Sequence, residues 1–132
     1  MGPPMKVILD TCTFLWLALE PDRLSPRARS LFDDRTTEPH LSMVSVLEIA
    51  LKYRAGKLPL PLEPSDWIPS RRSFFHLIEI PLTEAVIFRS GELSSDHDDP
   101  FDRLLAATAM EAGATILSPD PQLSLLGASR IW

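Results

Sequence analysis

The stretch HDDPFDRLLAATAMEAGATILSPD, residues 97–120, contains a complete helix followed by a complete strand. Asp99 followed by proline is typical of a helix start, with aspartate as the N-cap and proline in the first helical position. The apolar run that follows ends at Gly113, and glycine commonly terminates helices. The next residues, ATILS, form a short apolar run of the kind found in buried strands. The stretch therefore predicts a helix over residues 100–113 and a strand over residues 114–118.

The remainder of the chain repeats this alternation. Predicted strands are short and apolar, and they cover residues 6–10, 40–43, 75–80 and 129–132 in addition to 114–118. Predicted helices follow polar caps or prolines, and they cover residues 11–19, 26–32, 45–56, 65–74, 83–93 and 100–113. Strands that alternate with helices imply right-handed crossovers and a sheet covered on both faces. We therefore predict an α/β fold, a three-layer α/β/α domain with a mostly parallel five-stranded sheet.

Length and composition narrow the classes of protein to consider. The 132 residues predict a single domain over 1–132, with residues 1–5 as a candidate flexible leader, and leave open whether Met1 or Met5 is the native start. No apolar run approaches the roughly 20 residues needed to cross a bilayer, so we expect no membrane partner. The lone Cys12 fits a reducing, cytoplasmic location. The net charge of −5 argues against nonspecific coating of nucleic acid, although it allows a nuclease with an acidic centre.

Four acidic residues on separate segments are predicted to meet at one edge of the sheet: Asp10, Glu48, Asp102 and Asp120. Each has a local explanation when taken alone. Glu48 completes a capping-box pattern with Ser45, Asp102 suits the positive end of a helix dipole, and Asp120 suits a turn. Asp10 ends a buried strand, where an unpaired carboxylate is costly to desolvate. Because ligands bind at the carboxyl ends of parallel strands, the convergence of all four predicts a functional site.

The chemistry of such a cluster points to a divalent cation. Two carboxylates about 5 Å apart repel by roughly 3 kcal/mol at an effective dielectric constant of 20. Several such pairs raise pKa values unless a cation lies between them. All-oxygen ligation selects Mg²⁺ or Mn²⁺, and no Cys/His spacing suggests a zinc site. A site of this kind suits phosphoryl chemistry with a metal-activated water.

These motifs resemble the PIN-domain family, and specifically the VapC toxins of bacterial VapBC toxin–antitoxin systems. The resemblance rests on ILDTCTFLWL (8–17), RLSPRAR (23–29), SMVSVLEIALKYRAGKLPLP (42–61), HDDPFDRLLAATAMEAGATILSPD (97–120) and the closing strand. It covers nearly the whole chain from Lys6 onward, with the motifs in the right order and at the right intervals.

The resemblance implies a metal-dependent endoribonuclease that uses Mg²⁺ or Mn²⁺ to cut structured RNA such as tRNA or rRNA. It also implies a homodimer and a cognate VapB-type antitoxin. The family's catalytic and metal-binding acids correspond to the same four residues, Asp10, Glu48, Asp102 and Asp120. Hydroxyl-bearing positions of the motifs, which would orient carboxylates or waters, correspond to Thr11, Ser45 and Ser118.

Three residues near Asp102 in the sequence have open roles. Asp99 is expected to cap the helix, with direct metal contact as the minority alternative. Arg103 is a candidate RNA contact, with a salt bridge to a nearby acid as the alternative. His97 could shuttle a proton, although a hydrogen-bonding role is the more common one for such a histidine.

The sequence also departs from the family pattern. Cys12 stands where the subfamily often has His, and Leu47 stands where Trp is common. Asp98 occupies a position that is frequently basic, which makes the mouth of the site more acidic. Ser118 replaces a threonine and conserves the hydroxyl group. All four acids are present, so we expect an active enzyme.

Three other functions stay open at this point. A housekeeping RNA-processing nuclease would share the same site. A non-catalytic binding module could use the fold without the chemistry, which the intact acids disfavour. A receiver-type signalling domain also clusters acids around Mg²⁺, but it needs an acceptor Asp after its central strand and a Lys after its last strand. The segments IEIPLTEA and SRIW offer neither residue.

Overall fold

The computed structural model describes residues 3–132. Its strands are β1 (Met5–Leu9), β2 (Thr37–Ser42), β3 (Ile78–Ile80), β4 (Thr115–Leu117) and β5 (Arg130–Ile131). Its helices are α1 (Thr11–Leu19), α2 (Pro26–Asp33), α3 (Met43–Arg54), α4 (Pro64–Phe74), α5 (Glu84–Glu92), α6 (Pro100–Ala112) and α7 (Gln122–Leu125). A short 3₁₀ helix, Pro21–Arg23, links α1 to α2.

The five strands form one parallel sheet in the order β3-β2-β1-β4-β5. Residues 7–9 of the central strand β1 are buried on both faces, as their apolar sequence predicts. Val7 and Leu9 belong to a core cluster on one face that includes Phe14 of α1. Ile8 belongs to a second cluster that includes Ala106 of α6. The predicted three-layer α/β/α architecture with a five-stranded sheet is therefore confirmed.

The boundaries of α6 follow the predicted signals. Asp99 is the N-cap, and its side chain accepts hydrogen bonds from the backbone N–H groups of Phe101 and Asp102 at 2.9 and 3.2 Å. Gly113 ends the helix in the left-handed conformation, with φ of 64°. A residue with a Cβ is rarely found there, which explains why glycine terminates this helix. The expected cap role of Asp99 is confirmed.

The start of α3 differs from the prediction. The helix begins at Met43, because the Ser42 side chain accepts a hydrogen bond from the backbone N–H of Val44 at 3.0 Å and acts as the cap. Ser45 therefore lies inside the first turn, and the predicted capping box formed by Ser45 and Glu48 is wrong. This shift places Glu48 in the second turn of α3, with its carboxylate free to contact groups outside its own helix.

Other differences occur at the ends of the chain and in short elements. Residues 1 and 2 of the expected leader lie outside the described residues, whereas Met5 pairs with Thr37 in the sheet. Strand β3 is shorter than predicted, because backbone hydrogen bonds at the end of α4 extend to His76, whose φ is 54°. Helix α7 was not predicted, since four residues carry too little periodicity to be detected. Within residues 3–132, no helix has both the length and the apolar character of a bilayer span.

Candidate active site

A cavity of about 300 Å³ opens at the carboxyl-terminal edge of the sheet. Five acidic side chains contribute to its wall, namely Asp10, Glu48, Asp99, Asp102 and Asp120. They come from the end of β1, from α3, from the start of α6 and from the turn after β4. The structure thus brings together all four acids that the sequence placed at this edge, and it adds Asp99. Asp96 and Asp98 are exposed, as expected of surface charges.

Asp10 connects the central strand to the cavity. It caps α1, and its Oδ1 accepts a hydrogen bond from the backbone N–H of Thr13 at 2.7 Å. Only 8% of the residue is exposed, and this burial raises the pKa of Asp10 above its ordinary value. Hydrogen bonds from Ser118 and Thr13 oppose the rise, whereas the negative charge of Asp102 adds to it. Hydrogen bonds therefore stabilise the ionised carboxylate of Asp10, but they do not offset the full cost of burying its charge.

Glu48 is held from two sides. The hydroxyl of Thr11 donates to Glu48 Oε1 at 2.6 Å, and the same hydroxyl lies 2.9 Å from the buried Ser45 hydroxyl. The ammonium group of Lys52, one turn further along α3, donates to the second oxygen of Glu48. This hydrogen bond raises the pKa of Lys52, and the charges of Asp99 and Asp102 raise it further. The positions of Thr11 and Ser45 fit their predicted role of orienting a carboxylate.

Asp102 is paired with a histidine. Its Oδ2 lies 2.7 Å from Nε2 of His97, and this hydrogen bond raises the pKa of His97. The pKa of Asp102 is raised as well, because partial burial and the charges of Asp99 and Asp120 outweigh the effect of His97. Burial and the neighbouring acids therefore dominate the electrostatics at Asp102. The hydrogen-bonding role for His97 is confirmed.

The contacts of Arg103, the neighbour of Asp102, do not favour an RNA-binding role. Its guanidinium donates four hydrogen bonds to backbone carbonyl oxygens, those of Ser90, Leu93, Ser95 and His97, at distances of 2.7 to 3.3 Å. These contacts tie the segment between α5 and α6 to the first turn of α6. The geometry favours a positioning role for Arg103 over both the predicted RNA contact and the salt bridge.

The fourth segment is the turn after β4. The Ser118 hydroxyl is fully buried and accepts a hydrogen bond from the backbone N–H of Asp120 at 3.0 Å. Asp120 Oδ1 accepts in turn from the backbone N–H of Gln122 at 2.9 Å. The Ser118 hydroxyl also lowers the pKa of Asp10, so it influences two of the site's acids. This arrangement fits the orienting role predicted for Ser118.

Cys12 lies in the cavity wall but is not a nucleophile. Burial, with the negative charge of Asp10, raises the pKa of its thiol to about 12. A thiol with this pKa stays protonated at neutral pH, and only the thiolate is reactive. The thiol of Cys12 is therefore unreactive in this environment.

The donor set of the cavity fits a hard divalent cation. Its acidic oxygens are the ligands that Mg²⁺ and Mn²⁺ prefer. Burial, with a smaller contribution from neighbouring acids, raises the pKa of Asp10 and of Asp102. Within residues 3–132, no three His, Cys, Asp or Glu side chains are placed to hold one ion together. Protein groups contact two of the carboxylates instead: Lys52 donates a hydrogen bond to Glu48, and His97 is hydrogen-bonded to Asp102.

Lys52 is the residue that the sequence reasoning missed. The signal was present as a glutamate–lysine pair four residues apart on one helix face, a spacing that brings the two side chains together. Sequence analysis placed Glu48 in the acidic cluster without pairing it with Lys52.

Comparison with known proteins agrees with this geometry. The PIN domain family model matches residues 7–128, which is nearly the whole chain. The chain belongs to the PIN domain family. Among curated proteins, it is 29% identical over 118 residues to Ribonuclease VapC22 of Mycobacterium tuberculosis, covering 89% of this chain and 88% of that protein.

Solved structures share the PIN fold over almost the full length. The DNA-bound VapBC structure from Salmonella typhimurium gives a TM-score of 0.68 at 18% identity and covers 97% of both chains. The FitAcB structure from Neisseria gonorrhoeae gives a TM-score of 0.63 at 20% identity and covers 96% of both chains. At these identities the two likenesses establish the fold of this PIN domain.

Proposed function

We propose that this PIN domain is a metal-dependent endoribonuclease and the toxin of a type II toxin–antitoxin pair. The observation that carries the proposal is the convergence of five carboxylates from four segments on one cavity of about 300 Å³. The similarity to a protein named as a VapC ribonuclease supports RNA as the substrate. We take structured RNA such as tRNA or rRNA as the substrate class.

The metal in this proposal is Mg²⁺ or Mn²⁺, which Asp10, Glu48, Asp102 and Asp120 would hold. When bound, such an ion activates water for attack on a phosphodiester and stabilises the leaving oxygen. The chain's own groups prepare these ligands. Thr11 fixes one oxygen of Glu48 at 2.6 Å, and hydrogen bonds from Thr13 and Ser118 favour the ionised form of Asp10.

The proposed protein partner is a VapB-type antitoxin. Support comes from the solved structures that share the fold, which are VapBC and FitAcB. A cavity lined by five acids also suits inhibition by a segment that carries positive charge. Co-purification with the product of a short adjacent gene, and relief of growth arrest by that product, would test this partner.

The homodimer remains a prediction. Leu47 and Leu51 are 39% and 53% exposed on α3, and apolar side chains four residues apart on a helix form a continuous patch. Sedimentation of the purified chain at several concentrations would test dimerisation, and a Leu51→Glu variant that sediments identically would exclude this patch.

The proposed activity is tested by mapping RNA 5′ ends after inducing the wild-type protein beside an Asp10→Ala variant. New ends at defined positions, present only with the wild type and accompanied by growth arrest, are the expected result. A housekeeping processing enzyme would produce new ends without growth arrest. Identical end profiles for the two proteins would refute the nuclease assignment.

A further inference from the structure

We infer that Lys52 binds a phosphate of the RNA substrate and that Glu48 holds its ammonium group until a metal ion occupies the cavity. This inference rests on the proposed function and assigns a substrate contact within it. Lys52 is the one basic residue among the described residues that line the cavity.

The acidic cavity and the proposed RNA substrate carry charge of the same sign. Five acids line the cavity and the chain carries a net charge of −5, so an approaching phosphate is repelled. Bound metal offsets part of this repulsion, and a nearby ammonium group offsets more. Arg103, next to Asp102, is occupied with four backbone carbonyls, whereas Lys52 lies in the cavity wall itself.

The position of Lys52 allows it to exchange partners. Its side chain is 47% exposed, whereas its partner Glu48 is 14% exposed. The ammonium group therefore lies at the mouth of the cavity and the carboxylate lies deeper. If Glu48 served as a metal ligand, Lys52 would lose its partner and remain as a flexible cation beside the site.

Arg54 provides a matched control. It is another exposed cation on α3, two residues beyond Lys52, and two residues correspond to roughly 200° around a helix. Arg54 therefore projects away from the cavity, and it is not among the residues that line it. Lys52→Gln and Arg54→Gln each remove one positive charge from the same helix, but only the first removes a cavity cation.

The test is the salt dependence of RNA binding, measured by anisotropy with a 5′-fluorescein RNA of randomised sequence. Ca²⁺, which also takes oxygen ligands, replaces the catalytic ion, and only RNA shown to be intact by electrophoresis is scored. Loss of one phosphate contact reduces the slope of log Kobs against log salt by about 0.7 for a single strand. We expect Lys52→Gln to show this reduction, with a Kd raised about tenfold, and Lys52→Arg to keep the wild-type slope.

Three controls separate this inference from its alternatives. Arg54→Gln should keep the wild-type slope, and an equal loss in that variant would reveal a general charge effect and overturn the inference. In EDTA, the difference in slope between wild type and Lys52→Gln should shrink, because Glu48 retains the ammonium group.

A wild-type slope for Lys52→Gln in Ca²⁺, in a preparation whose wild type cleaves RNA with Mg²⁺, would overturn the role of Lys52 alone. A wild type that cleaves no RNA with Mg²⁺ or Mn²⁺ would instead refute the proposed function.

Discussion

Asp10 serves both the fold and the proposed site. As the N-cap of α1 it satisfies the backbone N–H of Thr13, and its backbone N–H donates to Leu117 of β4 at 3.2 Å. Its carboxylate also lines the cavity, where 8% exposure and the charge of Asp102 disfavour ionisation. The cavity therefore contains unfavourable negative charge in the metal-free protein. Such charge is expected where residues are arranged to bind a ligand and not to stabilise the fold.

An Asp10→Asn substitution should stabilise the metal-free protein at neutral pH by about 1 kcal/mol, because asparagine caps helices well and carries no charge. The folded-state pKa of Asp10 is raised, so wild-type stability from this group is complete below the unfolded value of 3.8 and falls as pH rises through the folded pKa. The advantage of the variant should therefore vanish in acid and grow with increasing pH. Urea unfolding in EDTA across this range measures it, and a variant less stable than wild type at neutral pH would contradict the account.

His97 should report on the state of Asp102. Its pKa is raised by the hydrogen bond to Asp102, so NMR titration of the metal-free protein should give a value above 6.5. The stability that this pair contributes is complete below pH 6.5 and is lost as pH rises through the folded pKa. Mg²⁺ binding to Asp102, or an Asp102→Asn substitution, should lower the pKa of His97. A His97 pKa that is unchanged by saturating Mg²⁺ would argue against Asp102 as a ligand.

At the level of elements, the residues at which α3 and α6 begin determine where the acidic side chains lie. Asp99 caps α6 and so directs Asp102 towards the strand ends. Ser42 caps α3, so the carboxylate of Glu48 takes no part in the helix cap. The first of these starts was predictable from an aspartate–proline pair. The second was not, because Ser42 and Ser45 are both plausible caps and only the length of β2 decides between them.

Arg103 fixes the segment that precedes α6. Arg103→Lys keeps the charge but cannot reach four carbonyls at once, so we expect a loss of about 2 kcal/mol or more in unfolding free energy. We also expect faster amide exchange in residues 93–98, since these carbonyls lose their partner. Denaturant unfolding and hydrogen exchange measure the two effects. Full stability combined with weaker RNA binding would instead support the original prediction of a phosphate contact.

At the level of the whole molecule, the alternation of strands and helices predicted the sheet and the edge at which the acids meet. Parallel topology forces the ends of β1 and β4 to the same side, so Asp10 and Asp120 could be placed together before any contact was known. The contacts of Arg103 could not be predicted in the same way, because they depend on the path of the loop before α6, which hydrophobic periodicity does not specify. The contact between Lys52 and Glu48 follows instead from their spacing of four residues on one helix.

The overall charge also has a consequence for substrate binding. A chain with a net charge of −5 should bind RNA weakly without a divalent ion, since its own field repels phosphates. Binding should strengthen when the ion is added at constant ionic strength. Anisotropy titrations with monovalent salt adjusted to compensate would measure this, and equal affinity in EDTA would contradict a metal-assisted binding mode.

The most direct test of the central claim is cleavage of total RNA by purified protein across a titration of Mg²⁺ or Mn²⁺, with wild type beside Asp102→Asn. Asparagine keeps the shape of Asp102 but removes the charge that the proposed ion requires. The account predicts cleavage at defined positions by the wild type, increasing with metal and absent in EDTA, and a loss of at least about a hundredfold in the variant. Cleavage that persists in EDTA, or an Asp102→Asn protein as active as wild type, would contradict it.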